Sequence, residues 1–240
     1  MHLTIQPVHQ LSAQRWDQIW AFTAAYARTS RGFFEEMLRA KSHVALVYTD
    51  KGRQTLVGTA SIDTRVVSFE GRDVVMIYTG DVLLREDIRG RNVLQRVGLI
   101  CFLRARLRHP FKRIYWFLGA STHQAYLVLA RGLCSYWPRP ELSTPAAMER
   151  LRDRFARVVL PQLWDAVDGV FRTGGTKLLN SLQTPFTPRE LQDPHIRFFL
   201  ARNPGYAQGD LLACLAPLDL GNWISILRSG IARYFRRRRR

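Results

Sequence analysis

A chain of 240 residues with 47% hydrophobic content is long enough to bury a substantial core and too apolar to be a disordered segment. The formal net charge of +17 stays strongly positive without the five terminal arginines, Arg236 to Arg240, so the body itself attracts anions such as nucleic acid, anionic lipid, acidic carrier proteins or phosphorylated cofactors. Cys101, Cys134 and Cys214 lie far apart without metal-ligand spacing, which excludes a disulfide framework and reads as small apolar residues in a reducing compartment.

In chain order, residues 3–8 read as a strand, and Ser12 as the N-cap of a helix through Trp16, Ile19, Trp20, Thr23 and Tyr26. A second short helix covers residues 33–39. The apolar run 43–49, the turn Asp50-Lys51-Gly52 and the run 55–63 read as a hairpin. Residues 66–69 continue that strand or begin another, Glu70-Gly71-Arg72 turns the chain, and 73–84 is the longest β run. A short basic loop, Arg89-Gly90-Arg91, then leads into a helix over 92–107. On it Val93, Leu94, Val97, Ile100, Cys101 and Leu107 form the apolar stripe, with Arg96, Arg104, Arg106 and Arg108 largely outside it. Pro110 ends this helix. Residues 113–118 form a buried strand, and 122–130 a helix closed by Gly132.

Beyond Leu133, Ser135-Tyr136-Trp137-Pro138-Arg139-Pro140 is a rigid connector, and Thr144-Pro145 opens a helix carrying Met148, Leu151, Phe155, Val158 and Val159. Irregular stretches follow, then the turn Asn203-Pro204-Gly205-Tyr206, which is either a connector or the lining of an acceptor pocket. Residues 209–218 read as a late strand. The order of strands and helices indicates a mixed α/β sheet rather than a bundle or a repeat. Three parts are expected: a core over 1–133, an elaboration over 134–220 that completes the sheet, and a basic amphipathic tail over 221–240.

The stretch VLLREDIRGRNVL, residues 82–94, runs from strand end through basic loop to helix start, which gathers backbone N–H groups and a positive dipole end into an anion site. With this order of elements the chain resembles the GNAT acyltransferase superfamily over roughly residues 3–133. The carriers of the resemblance are Leu84 at the apolar strand end and Arg89, Gly90, Arg91, Asn92, Val93 and Leu94 in the loop and helix start. The hairpin strands around residues 45–60 and the helix over 125–132 add to it. The resemblance implies a mixed, mostly antiparallel sheet flanked by helices, with Leu84 and the Arg89 to Leu94 loop holding the pyrophosphate of acyl-CoA. Asn92 and Leu94 stand where the family has small residues. A basic surface makes an acyl carrier protein, with one phosphate on its pantetheine, an alternative donor.

Acyl transfer to an amine needs a group that takes the amine's proton. Asp81, inside the apolar run IYTGDVLL, is the candidate, beside the alternative of a carboxylate satisfied at a bulge marked by Gly80. Many relatives place a proton-donating tyrosine on the helix after the fifth strand; the resemblance puts Tyr126 nearest that role, with helix packing as the plainer alternative. His43, His123 and His195 are isolated, and neither a metal-ligand spacing nor a nucleotide-binding Gly-Lys-Ser/Thr element is present.

In the tail, Trp223, Ile224, Ile226, Leu227, Ile231, Tyr234 and Phe235 accompany Arg228, Arg233 and the final arginines. Such a segment suits an anionic membrane surface, and its apolar face favours lipid over nucleic acid. The alternative is a helix docked on the protein's own core. With no signal peptide pattern and no run of about 18 apolar residues, a cytoplasmic location is expected, peripheral to a membrane where the tail binds lipid. The expected function is transfer of an acyl group from acyl-CoA or an acyl carrier protein to an amine acceptor, without a metal. The alternative is a non-catalytic module of the same fold at an anionic membrane surface.

Overall fold

The computed structural model describes residues 1–50, 52, 54–88, 93–180, 185–226 and 228. An eight-stranded sheet runs in the order β1 (His2–Pro7), β3 (His43–Tyr48), β4 (Leu56–Phe69), β5 (Arg72–Leu84), β6 (Arg113–Ala120), β10 (Leu211–Pro217), β8 (Val170–Phe171), β7 (Trp164–Asp165). Neighbours are antiparallel except β5 and β6, which run parallel. This is the mixed, mostly antiparallel sheet flanked by helices that the sequence implied. Residues 56–69 form one strand, so 66–69 continue it and do not begin another. Glu70 and Gly71, at φ 48° and 74°, make the tight turn into β5, since a two-residue hairpin turn of the primed kind needs positive φ at both positions.

Directly paired residues share a face, which gives the layers. On one face α1 (Ala13–Tyr26) and α2 (Arg31–Arg39) cover Val44, Leu46 and Tyr48. On the same face α5 (Ala146–Val159) inserts Leu151, Phe155 and Val159 against Met76, Tyr115, Phe117, Phe171 and Leu215. On the other face α3 (Val93–Arg108) packs Val97, Cys101 and Ala105 on Ile62, Val75, Ile77 and Ile114. There α4 (His123–Gly132) and α7 (Pro194–Arg202) cover Leu118, Ala120, Leu212 and Cys214. Helices on both faces explain why β3 reads as an unbroken apolar run and why the first half of β4 is buried on both sides. Ser12, Ser30 and Thr122 each accept an N–H from the first turn of their helix, as N-caps do.

Two sequence expectations are corrected here. Gly132 does not close α4: Leu133 still donates to Leu129 O, so Gly132 is the last helical residue and Leu133 the cap. Leu107 does not belong to the buried stripe of α3; it is 82% exposed, while Ala105 takes the inward position two residues earlier. Several short elements lie outside the sequence expectations: β2 (Ala27–Thr29), which pairs with β9 (Lys177–Leu179), and the two-residue β7 and β8 carry no sequence signal, whereas α6 (Pro188–Gln192) and α7 are announced by the capping box Thr187-Pro188-Arg189-Glu190 and by Asp193-Pro194.

The chain after β10 turns back onto the protein. Residues 220–226 are helical, and Asn222 is wholly buried. Its Oδ1 accepts from Cys134 N and Ser135 N, both at 2.9 Å, and its Nδ2 donates to Ser135 O and Pro217 O, both at 2.7 Å. An amide with all these partners fixes the start of the tail on the fold. Residues 229–240 lie outside the described residues. Among those described, no helix is long and apolar enough to cross a membrane.

Candidate functional site

The site begins as an irregularity in β5. Between the pairs Thr59–Leu83 and Ser61–Gly80, two steps on β4 oppose three on β5, so β5 carries one extra residue. Asp81 absorbs it at φ 49°, a conformation that short polar side chains tolerate better than others. Gly80 is required at the same place, because a Cβ there would lie 2.6 Å from the Tyr78 hydroxyl. The bulge marked by Gly80 is therefore present, and it brings the Asp81 carboxylate to the α1–α2 face together with Ser61.

There Asp81 Oδ2 accepts from Ser61 Oγ at 2.8 Å, and Oδ1 pairs with the Lys177 ammonium of β9. Thr29 Oγ1 donates to Thr176 O at 2.9 Å and Asn180 Nδ2 to Ala25 O at 3.1 Å, so the β2–β9 ribbon straps Lys177 in place. A cavity of about 10 Å³ lies beside the carboxylate, lined by Thr23, Thr59 and Ser61 together with apolar residues of α1, α2 and β3. That is space for about one water. Lys41 adds a second ammonium, this one buried: it stands 4.7 Å from the Tyr78 ring centre, and its Nζ has no hydrogen-bond partner among the described residues. Asp63, on the same face, is paired with Arg65 at 2.6 Å.

The electrostatics follow from this arrangement. Burial is the largest influence on the Asp81 carboxyl and pushes its pKa up, but the Lys177 charge and hydrogen bond, the Ser61 hydroxyl and the Lys41 charge together outweigh it, leaving the group at about 2. Burial lowers Lys41, partly opposed by Asp81 and Asp63. Burial raises Tyr78 far above the ordinary phenol range. Because the Asp81 value is depressed on folding, its ionised form stabilises the fold above about pH 4, and that share, about 2 kcal/mol, is lost as pH falls towards 2. Urea titrations from pH 6 to 2 are expected to show a wild-type loss exceeding that of the Asp81→Asn/Lys177→Met variant by this amount; parallel curves refute it.

The second part of the site is the parting of β5 and β6. Their parallel pairing runs from Val74–Arg113 to Thr79–Leu118 and stops, although β5 continues to Leu84 and β6 to Ala120. Trp116 Nε1 donates to Thr79 Oγ1 at 2.8 Å at the last paired position. From Gly80 to Leu83 the β6-facing edge of β5 has no strand partner among the described residues. At the far end of β5, Leu84 packs with Val57, Ile88 and Val93, which brings the strand end and the start of α3 together. The expected anion loop, Arg89, Gly90, Arg91 and Asn92, lies outside the described residues, as does the side chain of Leu94.

Tyr126 stands apart from this constellation. It is wholly buried on α4, donates to Pro138 O at 3.0 Å and packs against Tyr136, Phe198 and Phe199. Burial holds its phenol far above the ordinary range. His123 is 3.4 Å from Glu190 and meets the Phe186 ring at a tilt of 47°. His195 faces Tyr136 and Glu141, and His43 meets Ser42 Oγ. Asn203 is buried and donates to Asp210 O, so the turn that follows it is a braced connector. Among the described residues no group of three or more His, Cys, Asp or Glu could hold a metal.

Ser61, Lys177, Lys41 and Asp63 were not singled out from the sequence. Ser61 and Asp63 did leave a trace, since they alternate with Ala60 and Ile62 in the sequence of β4. Lys177 left none.

No family model and no curated protein matches the sequence. Solved structures are similar to the chain. The NatC complex bound to Gag peptide and CoA shares 13% identity, over 58% of this chain and 87% of that one, at a TM-score of 0.40. An acetyltransferase of Trypanosoma brucei shares 15% over 60% and 99%, at 0.39. A ribosomal-protein-alanine N-acetyltransferase of Brucella melitensis biovar Abortus 2308 shares 16% over 60% and 100%, also at 0.39. At 13–16% identity and TM-scores of 0.39–0.40, these are likenesses of fold alone.

Proposed function

We propose that the protein is a GNAT-type N-acyltransferase moving an acyl group from acyl-CoA to a primary amine. The observation that carries this is the coincidence of three features at one point of β5: the bulge, the partly buried Asp81 carboxylate and the parting from β6. A pantetheine arm has hydrogen-bonding needs like those of a peptide, and the edge of β5 from Gly80 to Leu83 meets them. Leu84, Arg89, Gly90, Arg91, Asn92, Val93 and Leu94 would hold the phosphates beyond it, with arginine suited to their geometry. When bound, the thioester supplies an activated acyl carbon.

The acceptor is proposed to be an alkylammonium, because Asp81 already pairs with one. Lys177 Nζ occupies the place that an acceptor amine would take. With Lys177 drawn aside, the influence that remains largest on Asp81 is burial, which raises its pKa and lets the carboxylate take the amine's proton. Tyr126, engaged with Pro138, serves packing in this scheme. The tail is proposed to hold the enzyme at the inner face of an anionic membrane.

The test is incubation of the full chain with acetyl-CoA, long-chain acyl-CoA or a loaded acyl carrier protein, together with lysine peptides, polyamines and amino lipids, read by mass spectrometry. Amide product with a CoA donor is expected. No product with any pair, and no thermal stabilisation by CoA, would leave the non-catalytic module as the better account.

A further inference from the structure

Helix α3 is apolar on two sides. One side rests on the sheet; the other carries Leu99, Leu103 and Leu107 at successive i, i+4 positions, 43%, 48% and 82% exposed. Four residues further on, Phe111 is 98% exposed in the turn before β6. Arg106 Nη1 donates to Pro110 O at 2.8 Å and to Lys112 O at 3.1 Å, so that turn is braced with the ring facing outward. Single exposed leucines need no explanation, but three in one line along a helix, followed by an exposed phenylalanine in the turn beyond it, do.

A second observation comes from the tail. Trp223 packs against Phe102 of α3 with ring centres 4.4 Å apart, so the anchored helical stretch 220–226 lies alongside α3 and adds exposed Leu220 and Ile224. Charge is distributed to match. Residues 93–113 contain no Asp or Glu, and Arg96, Arg104, Arg108 and Arg113 are exposed there. After Asp219 the chain has no further acid and ends in five arginines.

We propose that the outer face of α3, with the turn at Phe111 and the adjoining helical stretch 220–226, docks on an anionic lipid bilayer. The leucines and Phe111 enter the boundary between headgroups and acyl chains, and the arginines lie among the lipid phosphates. A second copy of the chain is the poorer occupant, because it would set these acid-free arginine borders against each other. The proposal stands apart from the acyl-transfer reading and extends the membrane contact from the tail to the folded body.

Co-sedimentation of the full chain with phosphatidylcholine vesicles, with and without 30% phosphatidylglycerol, tests it. Binding to the anionic vesicles is expected, with at least a tenfold lower partition coefficient for the Leu107→Ser/Phe111→Ser variant; both residues are so exposed that its melting curve should match wild type. A protein ending at residue 228 is expected to bind more weakly but to keep its dependence on Leu107 and Phe111. Equal binding by wild type and the double variant would assign the contact to the terminal arginines alone and overturn the proposal. Wild-type indifference to anionic lipid would do the same, as would concentration-dependent self-association abolished by the double variant.

Discussion

Asp81→Asn is expected to lower kcat/KM for amine acylation by about 100-fold or more, the usual contribution of a positioned proton acceptor. The amide keeps the shape of the carboxylate and can still accept from Ser61, but it neither holds an ammonium nor takes a proton. Lys177→Met should act in the opposite sense, lowering KM for the acceptor because an internal ammonium no longer competes for Asp81. It should also move the acidic limb of the pH–rate profile upward, since the counter-charge that depresses Asp81 is gone. Losing one member of a partly buried ion pair can destabilise the fold. The double variant Asp81→Asn/Lys177→Met, which leaves neither charge alone, therefore serves as the folded inactive control. Wild-type turnover by a folded Asp81→Asn protein would remove Asp81 from the mechanism.

Phe155→Ala should give the largest loss of stability, about 3–5 kcal/mol. Phe155 is wholly buried on α5 and meets Tyr115 and Phe117 edge-on, with ring centres 6.2 and 5.8 Å apart. Its ring joins a helix from the later part of the chain to strand β6 of the earlier part, so the void left by alanine opens between them. Urea unfolding should show a lower midpoint at an unchanged slope. A loss below 1 kcal/mol would mean that the neighbouring rings close the gap.

The legible part of the fold was the part with periodicity. From β1 to α4, β2 apart, the runs were long enough for the period to declare itself, and Ser12 and Glu70-Gly71 marked a cap and a turn by their own chemistry. Later in the chain, β7, β8 and β9 are two or three residues long and show no period. On α3 the pattern misled, because a helix apolar on both sides does not say which side faces the sheet; Leu107 was assigned inward and Ala105 overlooked. Asp81 stood out as an acid in an apolar strand, and Gly80 suggested the bulge. The partner that sets the charge of Asp81 comes from β9, and nothing in the local sequence of either strand announces the other.

That separation has a consequence in time. The carboxylate and its counter-ion are 96 residues apart, and the ribbon that presents Lys177 pairs β9 with β2, about 150 residues earlier. As the polypeptide leaves the ribosome, Asp81 emerges well before Lys177 does, and β5 is made long before β10 can flank β6. Contacts this distant make assembly slow and late. During elongation the nascent chain can thus form the hairpins around Asp81, but the finished charge balance of the pocket awaits Lys177, 96 residues later.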